Sequence, residues 1–167
     1  MTNYEQMKEI LLAFADDYNQ KTCIEAKISD VSEDKEETVR TGVPKYVYEK
    51  NRQDMDIIDM DEIAHNIYRL VRFPDSKKES DSLASSDAFV ISSENIWYFI
   101  EFKNQQIAKA KESVTKKAYQ NWYWLVDILY EMWEKNEMQY DTFNYENPIV
   151  FAKENVVYIL VVSEEKI

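Results

Sequence analysis

Glycine and cysteine are almost absent from this sequence of 167 residues, which has one residue of each type, three prolines and one histidine. So few glycines and prolines disfavour architectures built on many tight turns and favour long helices. A single glycine also excludes the glycine-rich loops that cradle nucleotide phosphates. The lone Cys23 excludes a disulfide framework within the chain, and with the lone His65 it excludes a zinc cage. Any bound metal would therefore need oxygen ligands.

Long hydrophobic runs are also missing. No apolar run approaches the ~18 residues of a membrane span, and the start, MTNYEQMKEI, does not resemble a secretory signal. We therefore expect a soluble cytoplasmic protein with no membrane contact. The 32 acidic and 20 basic residues give a net charge of -12, which repels nucleic acid. The exception is 101–120, where five lysines outnumber two glutamates, so a polyanion should bind there.

Apolar periodicity and turn residues predict an α/β layered domain. Residues 1–55 are expected to hold an N-terminal helix and an acidic loop or insertion, and 56–167 the core, together forming one compact unit. The predicted helices cover 2–18, 59–73 and 105–135, and the predicted strands cover 22–29, 44–50, 87–92, 96–103, 147–152 and 156–163. The last two strands are apolar throughout and are expected to be buried. The acidic stretch 30–42 is expected to be a mobile loop.

The strands at 87–92 and 96–103 carry the charged residues that suggest chemistry. If Ser93–Asn95 forms the turn, with Asn95 in the left-handed conformation, Asp87 lies directly opposite Glu101. Opposed residues of an antiparallel pair project from the same face, with Cβ atoms roughly 4.5–5.5 Å apart. The period of two places Lys103 on that face as well. A change of one residue in the turn would separate the two carboxylates, so this prediction depends on the register.

Both strands are apolar on both faces, which is typical of a covered interior strand. Carboxylates at the end of such a strand are costly unless they are paired or bind a metal. Mg²⁺ suits one or two carboxylates together with water and a substrate phosphate. Lys103 could then orient an attacking water or offset charge on a phosphorus oxygen. A surface hairpin with solvated charges is the simpler alternative.

These residues resemble the PD-(D/E)XK, or restriction-endonuclease-like, nuclease superfamily, in which Asp starts one strand and Glu-x-Lys ends the next. The resemblance implies an α-β-β-β-α-β core with an extra N-terminal helical part. It also implies that Asp87, Glu101 and the Phe102 backbone carbonyl bind Mg²⁺ or Mn²⁺, and that Lys103 assists the attacking water. Ser86 precedes Asp87 where the superfamily has Pro, and no strand is recognisable in 76–86. Gln105 occupies a position that is often polar in the superfamily.

A further acid on the preceding helix occurs in many members of the superfamily. Glu62 is the candidate here, although nothing in the sequence favours it over Asp59 or Asp61. The expected function is metal-dependent phosphodiester hydrolysis, with DNA as the substrate. The nucleic-acid contacts would come from the 103–117 segment, through the lysines at the start of the long helix: Lys109, Lys111, Lys116 and Lys117.

A second function stays open, because the superfamily includes inactive members and this chain is strongly acidic. In this alternative the chain is a non-enzymatic interaction protein of the immunity or DNA-mimic type, which binds a basic protein. The aromatic run at 119–133 is expected to contribute mainly to the core, with an interface to a second copy or partner as one alternative and base stacking as another.

Overall fold

The computed structural model describes residues 1–48, 54–75 and 84–163 of the chain. Five strands form one mixed sheet whose spatial order follows the chain. They are β1 (Glu25–Lys27), β2 (Asp56–Asp59), β3 (Ala88–Ile91), β4 (Trp97–Lys103) and β5 (Val156–Val162). Neighbouring strands from β1 to β4 are antiparallel, whereas β5 is parallel to β4. The predicted α/β class is confirmed.

The helices are α1 (Asn3–Asp17), α2 (Ile28–Val31), α3 (Lys35–Thr41), α4 (Met60–Glu62), α5 (Arg69–Arg72), α6 (Ile107–Asn136) and α7 (Pro148–Asn155), with a π-helical segment at Ile63–Tyr68. The π-helical segment joins α4 to α5 without a break, and the three together form the helix predicted at 59–73. The α1 helix starts at a capping box, in which Thr2 and Glu5 bond each other's backbone N–H groups. No helix of the described residues has the length and hydropathy that a membrane span requires.

The acidic stretch 30–42, predicted as a loop, contains α3 and the end of α2. The prediction was wrong because local capping compensates for the lack of buried residues in α3. The Asp34 side chain accepts the N–H of Glu37 at 3.0 Å, and Gly42 ends the helix with a φ of 72°. The strand predicted at 44–50 is reduced, in its described part, to one bridge between Tyr46 and Glu33, and 49–50 lie outside the described residues.

The two apolar runs near the end of the sequence also differ from expectation. The first, predicted as a strand at 147–152, belongs to α7, because Asn147 caps the N–H of Val150 at 3.1 Å and Pro148 suits a first helical turn. The second is β5, but it is an edge strand with partly exposed side chains and is not buried.

The order of the elements differs from the expected α-β-β-β-α-β core in one respect. Among the described residues, the helix at 60–72 is followed by two strands, α6, α7 and β5. The strand that pairs with β3 on the side away from β4 is β2, which precedes that helix. The segment 76–83, where a strand was sought before Asp87, lies outside the described residues.

The sheet carries an apolar cluster on each face. The larger cluster packs α1, α6 and the helix at 60–72 against one face, and it contains Trp97 and Phe99 of β4. The smaller cluster, on the opposite face, contains Ile100 and Phe102. The predicted two-sided burial of this strand is confirmed. Because the side chains of a strand alternate, Glu101 projects toward the α6 side of the sheet.

Candidate active site

The β3–β4 hairpin has the register predicted from the sequence. Ala88 pairs with Ile100, and the N–H of Ser92 bonds the carbonyl of Ile96 at 2.9 Å. Asn95 closes the turn in the left-handed conformation, with a φ of 61°. The ladder ends at the pair Ala88 and Ile100, and Asp87 lies at a bend one residue beyond it. Asp87 is near Glu101, with which it interacts electrostatically, but the two residues do not form a ladder pair.

The Asp87 carboxylate is turned back onto the neighbouring strand. Its Oδ2 atom accepts the backbone N–H of Phe102 at 2.6 Å, while its own N–H donates to the Ile100 carbonyl at 3.0 Å. Burial and the nearby charge of Glu101 raise the pKa of Asp87 to about 7. Asp87 and Glu101 therefore share one electrostatic environment, and ionising both has a cost.

Glu101 is buried, with 4% of its surface exposed, and two lysines neutralise it. Its Oε1 atom forms an ion pair with Lys103 Nζ at 2.8 Å and accepts a hydrogen bond from Lys117 Nζ of α6 at 2.7 Å. Although burial opposes it, the contact with Glu101 keeps the pKa of Lys117 above its ordinary value. Lys117 also interacts electrostatically with Asp87 and Asp61, so it lies among three carboxylates.

Three buried side-chain atoms in the described part of the chain have no hydrogen-bond partner: Ser86 Oγ, Glu101 Oε2 and Asn121 Nδ2. They belong to one neighbourhood, since Ser86 precedes Asp87 and its N–H donates to Asn121 Oδ1 at 3.3 Å. Asn121 follows Lys117 by one helical turn. Because buried polar groups are almost always paired, water is the natural partner for all three atoms, and the two oxygens could also bind a cation.

A cavity of about 580 Å³ opens at this end of the sheet, beside the α2–α3 segment. Asp87, Phe102, Lys103 and Gln105 line it, so four of the predicted site residues share one cavity. Acidic residues from two other parts of the chain also line it: Asp30, Glu33, Asp34, Glu36, Asp59 and Asp61. With Lys35 and Lys103 as its lysines, the lining is strongly negative and favours a cation.

Of the three candidate acids near the preceding helix, Asp61 is the one coupled to the site. It accepts a hydrogen bond from Ser85 at 2.5 Å, and His65 Nε2 lies 3.7 Å from the same oxygen. Burial opposes the shift, but these contacts and Lys117 lower the pKa of Asp61. Glu62 instead bonds Thr22 and Asn66.

The other acid, Asp59, caps the helix by accepting the N–H of Glu62 at 3.0 Å. Burial is the main cause of its raised pKa. Its place in the cavity lining follows from the pairing of β2 with β3, which sets Asp59 beside Ala88.

The lysines predicted to contact nucleic acid fall into two groups. Lys109, Lys111 and Lys116 are exposed on α6, whereas Lys117 turns inward to Glu101. The sequence contains a signal for this difference, because Lys117 falls on the buried stripe of α6 that runs through Ala110, Asn121, Leu125 and Ile128. A lysine on such a stripe predicts that its ammonium group forms a buried ion pair.

The aromatic run of α6 is divided between core and surface. Trp124 is fully buried, while Tyr119 and Tyr123 are 75% and 65% exposed. Trp122 packs against Trp97 and Phe151, whose ring centroids lie 6.0 Å and 6.4 Å away. The helix therefore contributes to the core and leaves two tyrosines on the surface.

The donor set fits a hard divalent cation with few protein ligands. In the part of the chain that the structure describes, no group of three or more His, Cys, Asp and Glu side chains could hold a metal. Two carboxylates with a backbone carbonyl and water are nonetheless a sufficient set for Mg²⁺. The open Oε2 atom of Glu101 and the raised pKa of Asp87 are the observations that fit such an ion.

No protein-family model matches this chain, and no curated protein or solved structure is significantly similar to it.

Proposed function

We propose that this protein hydrolyses phosphodiesters with the help of Mg²⁺ or Mn²⁺, and that DNA is the first substrate to test. The observation that carries the proposal is the Asp87 carboxylate bonded to the N–H of Phe102, next to Glu101, with Lys103 Nζ 2.8 Å from Glu101 Oε1. Glu101 Oε2, which has no partner among the described residues, is the free acceptor at this place.

Asp87, Glu101 and the Phe102 carbonyl would hold the ion, and a bound divalent cation lowers the pKa of a coordinated water. Because Glu101 Oε1 is already paired with Lys103 and Lys117, the ion would bind Glu101 through Oε2. Lys103 lines the cavity and would orient the water or offset charge on the phosphate. The exposed Lys109, Lys111 and Lys116 would contact the nucleic-acid backbone.

The fold supports this proposal in outline. The hairpin β3–β4, the long helix α6 and the strand β5 beside β4 follow the order that the PD-(D/E)XK resemblance implies, with β2 in the place of its remaining strand. Asp61 would be the helical acid of the site, in preference to Glu62, because it interacts electrostatically with Asp87 and Lys117.

The direct test is cleavage of plasmid DNA, single-stranded DNA and RNA in Mn²⁺, Mg²⁺ and EDTA. We expect metal-dependent cleavage that falls at least about 100-fold in Glu101→Gln and Lys103→Met. Glu112→Gln is the matched control, since Glu112 is an exposed acid on α6. Cleavage that survives both site substitutions, or no cleavage of any of the substrates, would contradict the proposal.

The acidic cavity lining favours one other function, in which the chain binds a basic protein without catalysis. Asp30, Glu33, Asp34 and Glu36 place negative charge along one wall, next to Asp59 and Asp61. A basic polypeptide such as polylysine should then bind with an affinity that falls with salt. Binding that is lost in Asp34→Asn with Glu36→Gln, but kept in Lys103→Met, would support this function.

A further inference from the structure

The outer edge of β5 is the least protected strand edge in the sheet. β5 has seven uncharged residues, pairs with β4 on one side and, among the residues that the structure describes, has no strand on the other. Val157, Tyr158 and Ile159 at its centre are 40%, 37% and 36% exposed. An exposed apolar edge strand with free backbone N–H and C=O groups is a template for pairing with another strand.

The opposite edge of the same sheet is protected against such pairing. β1 has only three residues, and two of them are charged. Glu25 pairs with Lys8 at 3.0 Å, and Lys27 pairs with Asp56 at 2.7 Å. Short, charged edges of this kind are how proteins block edge-to-edge association, so β5 has an unprotected edge in a sheet whose other edge is blocked.

We propose that β5 pairs antiparallel with β5 of a second copy, forming a symmetric homodimer with one continuous ten-stranded sheet. The sequence of the strand, VVYILVV, is nearly the same in both directions about Ile159. A two-fold axis at Ile159 places Ile159 of one copy opposite Ile159 of the other. In the same register Tyr158 lies opposite Leu160, Val157 opposite Val161 and Val156 opposite Val162. This axis pairs all seven residues of β5 with one another, whereas an axis moved by one residue in either direction pairs only five of them, so this register buries the most apolar surface.

The side chains around the edge add to the area that such a dimer would bury. The Tyr158 ring stacks on Phe99, and its hydroxyl donates to the Ala118 carbonyl at 2.7 Å, which holds the start of α6 beside the strand. Tyr119, the next residue, is 75% exposed. A strand pair alone falls short of the roughly 1,600 Å² of a standard interface, so we expect exposed residues such as Tyr119 to contribute.

The net charge of the chain predicts how the strength of this dimer changes with salt concentration. Two copies with a net charge of -12 each repel at long range, whereas the strand that joins them carries no charge. Raising the salt from about 0.05 M to about 0.5 M should therefore strengthen the dimer. A basic partner bound at the same edge would respond in the opposite direction.

The test is sedimentation velocity on the full chain at concentrations up to about 100 μM, with Ile159→Lys and Ile159→Glu as the variants. Because residue 159 faces its own copy, each variant alone places like charges together and should weaken association at least about tenfold. An equimolar mixture of the two should associate again. Val39→Lys is the matched control, since Val39 is 85% exposed on α3.

A cross-link provides a second measurement that leaves the strand apolar. In a Cys23→Ser background, which removes the exposed native cysteine, Ile159→Cys should form an intermolecular disulfide on mild oxidation, and Val39→Cys should not. A wild-type chain that stays monomeric at every salt concentration would overturn the proposal. So would a dimer that Ile159→Lys leaves intact, or a Lys and Glu mixture that does not associate.

Discussion

Lys117 Nζ lies 2.7 Å from Glu101 Oε1, the oxygen that also forms an ion pair with Lys103 Nζ at 2.8 Å. This contact joins the third turn of α6 to the end of β4, so helix and sheet meet at the candidate active site. It also gives a buried carboxylate a charged partner, while the second oxygen has no hydrogen-bond partner in the described part of the chain.

Removing Lys117 should therefore destabilise the protein. Lys117→Met leaves Glu101 with Lys103 as its remaining partner, and loss of one partner from a buried ion pair typically costs a few kcal/mol. Because Lys103 remains, we expect the free energy of unfolding to fall by about 1–3 kcal/mol in urea titrations. Lys116→Met, next to it on the exposed face, should change that free energy by less than about 0.5 kcal/mol. Equal effects of the two substitutions would show that the buried pair does not form.

The raised pKa of Asp87 predicts a pH dependence of stability. Its pKa is about 7 in the folded chain, against an ordinary value of 3.8. At a pH between these two values, Asp87 is therefore protonated in the folded state and ionised in the unfolded state. The wild type should lose stability as the pH rises through this window. Asp87→Asn cannot ionise, and its amide oxygen can still accept the Phe102 N–H.

We therefore expect the stability of Asp87→Asn relative to the wild type to increase by about 2–4 kcal/mol between about pH 4 and pH 8. Denaturant titrations at several pH values measure this difference. Asp16→Asn, at an exposed acid of α1, is the control and should show little change with pH. A flat difference for Asp87→Asn would mean that the folded structure does not raise the pKa of Asp87.

The turn that fixes the register should be sensitive to the residue at Asn95. Its backbone is left-handed, and its Oδ1 atom accepts from the Tyr140 hydroxyl at 2.6 Å and from Trp97 Nε1 at 3.2 Å. Asn95→Ala loses both hydrogen bonds and strains the turn, for a cost of about 2–4 kcal/mol. Asn95→Gly keeps the backbone conformation and should cost less, as thermal or urea unfolding will show. The reverse order would contradict this account of the turn.

The hairpin could be predicted because its determinants are local. Asn95, the alternation of the two strands and the position of Asp87 all lie within 17 residues, and together they define one register. The missed helices α3 and α7 also had local signals, Asp34 before Glu37 and Asn147 before Pro148, but their apolar patterns favoured a loop and a strand. Capping residues decided these two elements.

The remaining features depend on contacts between distant parts of the chain. β2 lies beside β3 although 28 residues separate Asp59 from Asp87, and nothing local indicates that pairing. The same pairing brings Asp59 and Asp61 to the cavity. Whether the apolar run of β5 forms an interior or an edge strand likewise depends on which strand lies next to it, and the run itself is compatible with both.

The most direct test of the central claim is a calorimetric titration of the wild-type chain with Mn²⁺, with Glu101→Gln measured beside it and Glu112→Gln as the control. If Asp87 and Glu101 form one cation site, the wild type should bind about one ion per chain, Glu112→Gln should match it, and Glu101→Gln should bind at least about tenfold more weakly. No binding by the wild type, or equal binding by Glu101→Gln, would contradict the claim.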